Sequence, residues 1–357
     1  RALEIWNGYR LGPEGVVATL GADEAYDHAD MDEHLPELLA EKSVVYSPMG
    51  ADGGFDAQVM AWVNHVRARA RQGVSAPVTF KEVSGLIHEM RLFKSPAEAE
   101  VMRRAGQISS EAHVRAWRSV ARAEYEYQLE AELNHEFAWQ GAPQTAYPSI
   151  VGSGVNACIL HYTENSDRLS DGNLVLIDAG CELDGYASDI TRTFPANGRF
   201  SPEQRAIYDL VLRAHQAALD AVRPGQPMRQ PHHAAVGTLT AGLVELGLLQ
   251  GEPEKLMAAE AYREFFMHGT SHWLGMDVHD VGAYKVNGEW RLFEPGMCLT
   301  IEPGLYIAPD NEAVESRWRG IGVRIEDDVM VTVDGHENFT RAVPKDPDEI
   351  ERLMAKV

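Results

Sequence analysis

Two aspartates, Asp178 and Asp189, stand in the stretch "LVLIDAGCELDGYASDITRTF" (174–194), inside runs that otherwise read as buried strands. An unpaired carboxylate in such a setting costs several kcal/mol. The stretch has no Lys, and its one Arg, Arg192, falls on the opposite face from Asp189 in a regular strand. Asp184-Gly185 favours a two-residue hairpin turn. With that pair as the loop, Leu183 faces Tyr186, Gly180 faces Asp189 and Asp178 faces Thr191. The two acids then lie diagonally on one face, with Cβ atoms roughly 7 Å apart or less. They cannot easily both ionise there unless a cation sits between them or Asp189 pairs with a distant Arg.

Further candidate ligands decide between these readings. Glu302 ends the apolar run of "LTIEPGLYI" (299–307), and Glu326 interrupts the apolar pattern of "GVRIEDDV" (322–329). His272 lies in the Gly-flanked "FFMHGTSHWLGMDVHDVG" (265–282), four residues after His268. Two aspartates, one histidine and two glutamates in apolar context make five ligands for a pair of divalent ions. Oxygen-rich ligation favours Mn²⁺ or another hard-to-borderline ion, with Zn²⁺ or Co²⁺ as alternatives, over a thiolate zinc site. Two such ions about 3.5–4 Å apart hold a bridging hydroxide and polarise a carbonyl.

The elements that must position these residues are legible around them. Residues 1 to about 92 mix short apolar runs such as "KSVVYSP" with a helical pattern near 56–71, and "ALEIW" at the start reads as strand-like. Ser95, Pro96 and Glu98 form a helix start with a capping box, and the domain boundary is placed there: 1–92, then 93–357. Helices are expected at about 96–122 and 124–140, then strands to about 195. "SPEQ" (201–204) is a second capping box, followed by helices at about 202–222 and 231–247 and strands from 264 to 333. Helices followed by strands, twice over, suggest an α+β fold with an antiparallel sheet covered by helices. "EYEY" (124–127) reads as helix surface and packing. His28, His34, His215, His232 and His233 read as structural histidines.

Composition narrows the function classes. The chain has 357 residues, 45% of them apolar, and a formal net charge of −22. That charge argues against a nucleic-acid surface, which needs clustered Lys and Arg. The three cysteines, Cys158, Cys181 and Cys298, have no C-x-x-C spacing and fit a reducing compartment. No apolar run approaches the roughly 20 residues of a membrane span. A cytoplasmic location is expected. The chain opens at Arg1 without an initiator Met, so a preceding segment is expected as well.

The segments "ILHYTEN", "LIDAGCELDGYASDITRTFP", "FFMHGTSHWLGMDVHDVG", "EPGMCLTIEPGLYI" and "GIGVRIEDDV" resemble the aminopeptidase P (Xaa-Pro aminopeptidase) family of pita-bread-fold metallopeptidases, in order and from about Trp6 to the C-terminus. The resemblance implies a pita-bread catalytic domain with a pseudo-twofold, preceded by part of an α/β N-terminal (creatinase/prolidase-like) domain. It implies that Asp178, Asp189, His272, Glu302 and Glu326 ligate two metals. Asp189 and Glu326 would bridge them, and Glu302 would also shuttle protons. His161, His268 and His279 match histidines that act at the site or bind substrate; Arg324 matches an arginine beside a ligand, and Tyr306 a tyrosine near the site. Trp6 matches a tryptophan that tetramers of the family lend to a neighbouring active site, so a homo-oligomer, dimer or tetramer, is expected. "AYKVNGEWR" (283–291) departs from bacterial relatives by a one-residue deletion, so that a basic substrate contact expected there is either replaced or shifted onto Arg291.

The implied activity is hydrolysis of the bond between an N-terminal residue and a following proline in peptides. Its rivals are prolidase, limited to Xaa-Pro dipeptides, and a non-catalytic peptide-binding module of the same fold. A metal-free creatine hydrolase conflicts with the five ligands, and methionine aminopeptidases lack the front domain. "TSHW" and the "HYTEN" context favour aminopeptidase P over prolidase, and the intact ligand set counts against the binding module.

Overall fold

The computed structural model describes residues 4–355. They divide into two compact units, one ending at Ile87 and one running from His88. The helix Ser84–Leu92 runs across that division.

In the first unit, β1 (Val44–Ser47) and β2 (Thr79–Glu82) form a parallel pair. The helical pattern of the sequence is realised over Gly53–Arg67, capped by the Asp52 carboxylate, with Val59, Trp62, Val63 and Val66 buried. Their spacing of three and four residues is that of one helix face. The strand-like start is corrected: Glu4–Asn7 form one helical turn, closed by Gly8 at φ 77°. Ala2 and Leu3, part of the same expectation, lie outside the described residues.

The second unit opens on the helix Pro96–Ser119. Ser95 Oγ accepts from the Glu98 N–H and the Glu98 carboxylate accepts from the Ser95 N–H, so two otherwise orphaned donors are satisfied at its start. Ala99, Met102, Ala105, Ile108, Ala112 and Ala116 bury one stripe of it. Small residues on that stripe let it lie close to the strands beneath. The helix Glu126–Trp139 follows. Glu126 corrects the expectation of a surface "EYEY": it is fully buried and accepts from the N–H groups of Ser153 and Asp167, from Asn156 Nδ2 and from the Tyr162 hydroxyl.

Strands β3 (Gln144–Thr145), β4 (Ile150–Ser153), β5 (Leu174–Asp178), β6 (Cys181–Leu183), β7 (Tyr186–Ala187) and β8 (Thr191–Pro195) come next. They form two antiparallel sheets, ordered β4-β5-β8 and β3-β6-β7. The register agrees with the hairpin argument: Leu183 pairs with Tyr186 and Asp178 with Thr191. Asp184 (φ 49°) and Gly185 (φ 82°) both adopt the left-handed backbone that the turn needs. The hairpin is bent rather than regular. A Cβ at Gly180 would lie 1.7 Å from the Ser188 carbonyl oxygen, so only glycine allows this close crossing, and Asp189 sits in the break between β7 and β8.

The second helix pair, Pro202–Asp220 and Gln230–Glu245, repeats the arrangement, with Ser201 and Gln204 forming the second capping box. Short strands β9 (Lys285–Val286) and β10 (Glu289–Trp290) precede β11 (Cys298–Ile301), β12 (Gly304–Tyr306), β13 (Gly322–Arg324), β14 (Asp327–Val331) and β15 (His336–Asn338). Strand order is β11-β14-β15, with β12 paired to β13. Residues 265–284, expected within a strand region, are irregular. Their backbone still docks on β11: Thr300 N–H donates to the His272 carbonyl (3.0 Å), Leu274 N–H to Cys298 (3.0 Å) and Glu302 N–H to Thr270 (2.9 Å). Gly269, Gly275 and Gly282 punctuate the segment, and Gly282 adopts φ 141°, a backbone that favours glycine. One large core joins both helix pairs to both sets of strands, including Leu133, Phe194, Tyr208, Trp273, Leu299 and Ile325.

Candidate metal centre

Strand ends and bends bring the acidic residues to one cavity of about 640 Å³. Asp178 ends β5, Asp189 occupies the bend before β8, Glu302 follows β11, and Glu326 lies between β13 and β14. His272 reaches in from the irregular segment. Ligating atoms of Asp189, His272 and Glu326 lie within 4.8 Å of one another. Glu302 joins them through His272 Nε2, 3.4 Å from its Oε1. Asp178 joins through the Tyr147 hydroxyl, which lies 2.6 Å from both Asp178 Oδ1 and Asp189 Oδ1. One phenol proton can serve only one of these oxygens at a time.

Fixed positive charge is scarce in this cavity. Arg324 is buried and its Nη2 donates to Asp178 at 2.5 Å, so the guanidinium foreseen beside the ligands is itself a partner of one of them. Against that one cation stand four carboxylates. Burial, reinforced by Asp189, Glu302 and Asp178, holds Glu326 well above the ordinary carboxylate range. Burial and Asp189 also push Glu302 up to about 7, against the pull of His272. Asp178 is raised by burial despite Arg324. Burial would raise Asp189 too, but His272 and Tyr147 outweigh it and the net direction is down. His272 is raised to about 9, because Asp189 and Glu302 overcome its burial.

The donor set fits divalent ions. Carboxylate oxygens predominate, with one imidazole and no thiolate at the cluster. His272 Nδ1 donates to the Trp273 carbonyl at 3.0 Å, which leaves Nε2 facing Asp189 and Glu302 at 3.5 and 3.4 Å. A carbonyl behind one ring nitrogen with the other turned toward acids is the arrangement of a ligating histidine. Asp178, Asp189, His272, Glu302 and Glu326 are the residues that would hold the ions.

The other sequence-derived residues distribute around this group. His161, His268, His279 and Arg324 line the cavity with the four acids and the His272 imidazole. Tyr306 is 2% exposed and stands behind the cavity, its hydroxyl accepting from Arg324 Nη1 (2.9 Å) and donating to His268 Nε2 (2.9 Å). His268 Nδ1 in turn donates to the Gly269 carbonyl (2.7 Å), and burial with the nearby Arg324 pushes its pKa down to about 3. His279 packs edge-on against His272, ring centroids 4.4 Å apart. Arg291 is not in the cavity wall; its guanidinium is engaged by Glu89. Trp6 belongs to the first unit and is 83% exposed.

Three contributors escaped the sequence reading. Tyr147 carries no motif signal. Thr191, whose hydroxyl donates to Glu326 at 2.6 Å and accepts from Arg324 Nε at 2.9 Å, follows Asp189 by two positions and could have been found from strand alternation. Asp328, two residues after Glu326, accepts from the Asp189 N–H at 3.0 Å. His232, read as structural, bonds Thr270 Oγ1 at 2.9 Å from outside the cavity.

Comparison with known proteins supplies the ancestry of this arrangement. The family model described as metallopeptidase family M24 matches residues 100–333, and that of the aminopeptidase P N-terminal domain matches residues 1–46. The chain belongs to metallopeptidase family M24. It is 50% identical to an Escherichia coli Xaa-Pro aminopeptidase over 351 residues, 98% of this chain and 79% of that protein. It is 35% identical to human Xaa-Pro aminopeptidase 3, covering 99% of this chain and 68% of that protein. Among solved structures it is similar to Pseudomonas aeruginosa aminopeptidase PepP (TM-score 0.96, 55% identity, 99% of this chain and 80% of that one). It is also similar to zinc-substituted E. coli aminopeptidase P in complex with product (TM-score 0.95, 49% identity, 99% and 80%). The M24 region therefore has the pita-bread fold foreseen from the sequence.

Proposed function

We propose that this chain is a metal-dependent aminopeptidase that cleaves the bond between an N-terminal residue and a following proline. The carrying observation is a cavity in which three buried carboxylates, the partly buried Glu302 and His272 converge while three further histidines line the walls. Relatives at 50% and 43% identity are Xaa-Pro aminopeptidases, and a variant E. coli aminopeptidase P has been solved with substrate.

Two divalent ions, Mn²⁺ by the hardness of the oxygen ligands, would be held by Asp178, Asp189, His272, Glu302 and Glu326. When bound, such ions supply Lewis acidity and a nucleophile at neutral pH. The remaining chemistry falls to the chain's own residues. A prolyl amide nitrogen carries no N–H and must gain a proton to depart as an amine. Glu302, at the cavity wall beside His268 and His272, is the carboxylate assigned to carry that proton. His161 and His279, which line the cavity, are assigned to donate to the substrate carbonyl or orient the peptide. His268 is held neutral and oriented by the Arg324–Tyr306 relay, so it acts as a fixed wall of the binding cavity. The substrate ammonium is assigned to carboxylates beside the ions. Trp6 is assigned to substrate binding through a homo-oligomer. Among the described residues no helix is long and apolar enough to cross a membrane.

The test is cleavage of an Xaa-Pro-Xaa tripeptide by metal-loaded protein, beside its N-acetylated form, an Xaa-Pro dipeptide and a peptide lacking proline. Release of the first residue from the free tripeptide only, or from it preferentially, is the expected result. Efficient cleavage of the acetylated peptide would show that the amino end is not read. Cleavage of the dipeptide alone would move the assignment to prolidase.

A further inference from the structure

His279 has an exact task only if its loop is held still, yet residues 275–282 form no helix or strand. Among the described residues no hydrogen bond holds the His279 ring; its recorded ring contact is with His272. The neighbouring side chain is anchored instead. Asp280 is fully buried, and its two oxygens are divided between two cations: Arg91 Nη2 donates to Oδ1 at 2.5 Å and Lys94 Nζ to Oδ2 at 3.0 Å. Lys94 is buried as deeply, its side chain 1% exposed.

Every part of this contact is fixed to the frame that carries Glu302. Lys94 N–H donates to the Gly296 carbonyl at 2.8 Å, and Phe93 bridges Met297, the residue before β11. Asp280 N–H donates to the Trp273 carbonyl at 2.9 Å, beside His272. At the loop's start, the Gly275 carbonyl accepts from the Ala187 N–H of β7 at 2.8 Å. A Cβ on Gly275 would stand 2.1 Å from Asp280 Oδ2 and 2.8 Å from Lys94 Nζ, so the glycine leaves the space that the ion pair fills. Arg91 adds a second tie, to Asp277 at 2.7 Å.

A buried ion pair is weak stabilisation in itself, because desolvation offsets most of the attraction. Its geometric consequence is stronger: two cations on one carboxylate leave the Asp280 backbone a single placement. We propose that Asp280, clamped by Lys94 and Arg91, is a positioning residue that sets the place of the His279 imidazole for the peptidase reaction. This rests on the reading of His279 given above. Lys94 and Arg91 thereby become part of the specificity apparatus although neither lines the cavity.

The experiment is a double-mutant cycle between Asp280→Asn and His279→Ala on a tripeptide, with Mn²⁺ content measured for each variant. Misplacing a group that meets the reacting bond costs about 10- to 100-fold in kcat/KM. That loss is expected for Asp280→Asn in the wild-type background and is expected to vanish when His279 is already absent, because both changes remove one interaction. Equal losses in both backgrounds would overturn the proposal, as would a loss that follows Mn²⁺ content. Arg91→Ala, at a partly exposed side chain, keeps the test available if Asp280→Asn fails to fold; a smaller loss with the same dependence on His279 is expected. The His279 ring signal in a ¹⁵N spectrum, identified by its disappearance in His279→Ala, should move in both clamp variants. An unmoved signal refutes the clamp even if the wild type cleaves no peptide, so its failure and that of the peptidase reading are separable.

Discussion

Glu326 and Asp327 are consecutive residues where the chain enters β14, and they face two very different surroundings. Glu326 turns to the cavity, shares it with Asp178, Asp189 and Glu302, and is pushed well above the usual carboxylate range by burial and by those acids. Asp327 turns to the rear. It is as deeply buried, but it accepts from Arg192 Nη2 (2.6 Å), Asn338 Nδ2 (2.8 Å), Thr340 Oγ1 (2.9 Å) and Lys345 Nζ, and Arg192 and Lys345 carry it well below that range. Glu126, also buried, likewise accepts from four donors. Burial alone therefore does not mark a functional acid. What separates the front of the strand from its rear is the balance of donors and cations, in deficit where ions would bind and in surplus where the fold is fastened.

Breaking the front should abolish chemistry, and breaking the rear should weaken the fold. Glu326→Ala removes a carboxylate that would hold the ions, and loss of several kcal/mol of transition-state charge stabilisation corresponds to about a thousandfold or more in kcat. Peptide hydrolysis with excess Mn²⁺ checks it; a mild effect contradicts the assignment. Asp327→Ala leaves Arg192 buried without its carboxylate and is expected to cost about 3–5 kcal/mol of stability, read from denaturant midpoints. If it instead lowers turnover with the midpoint unchanged, the two faces have been assigned the wrong way round.

Acid sharpens the comparison through a third kind of buried group. His113 is fully buried, its Nε2–H donating to the Ala179 carbonyl, and burial pushes its pKa down from 6.5 to about 4. The unfolded chain binds this proton more readily, so the contribution of a neutral His113 is complete above about pH 6.5 and is lost as pH falls through about 4. His113→Gln retains a donor without the titration. The wild-type advantage over this variant, measured in chelator, should shrink from pH 7 to pH 4. A constant advantage would mean that His113 is not held neutral.

The smallest expected effect is at Tyr147. Removing the hydroxyl in Tyr147→Phe takes away the one donor that Asp178 and Asp189 share, worth about 1.5–3 kcal/mol for a bond to a charged group. The loss of stability should be larger in chelator than with metal, since ions would satisfy the same oxygens. Thermal melts in both conditions read the difference, and equal losses would show that the hydroxyl does not share these oxygens with a cation.

The legible parts of the molecule were those governed by local rules. Capping boxes at Ser95 and Ser201, the Asp184-Gly185 turn and the Asp178–Thr191 register follow from neighbours in sequence. The four acids stand out because each interrupts or ends an apolar run, and His272 because it lies in a Gly-flanked segment four residues after His268. Tyr147 does not, since a tyrosine near a strand is ordinary until its hydroxyl is seen between two carboxylates. The segment 265–284 docks on β11 through its backbone without forming a strand, and the partners that fix it, residues 298–302, lie beyond the reach of a local pattern. Glu126 was hidden for the opposite reason: its donors come from residues 153–167, and no local pattern announces them.

The charge deficit at the front of β14 is tested most directly by counting ions. Protein stripped with chelator, loaded with Mn²⁺ and freed of excess should carry close to two manganese ions per chain by elemental analysis, and its melting temperature should rise with free metal as linkage requires. A protein that stays folded, carries none and melts at the same temperature with and without metal would contradict the account.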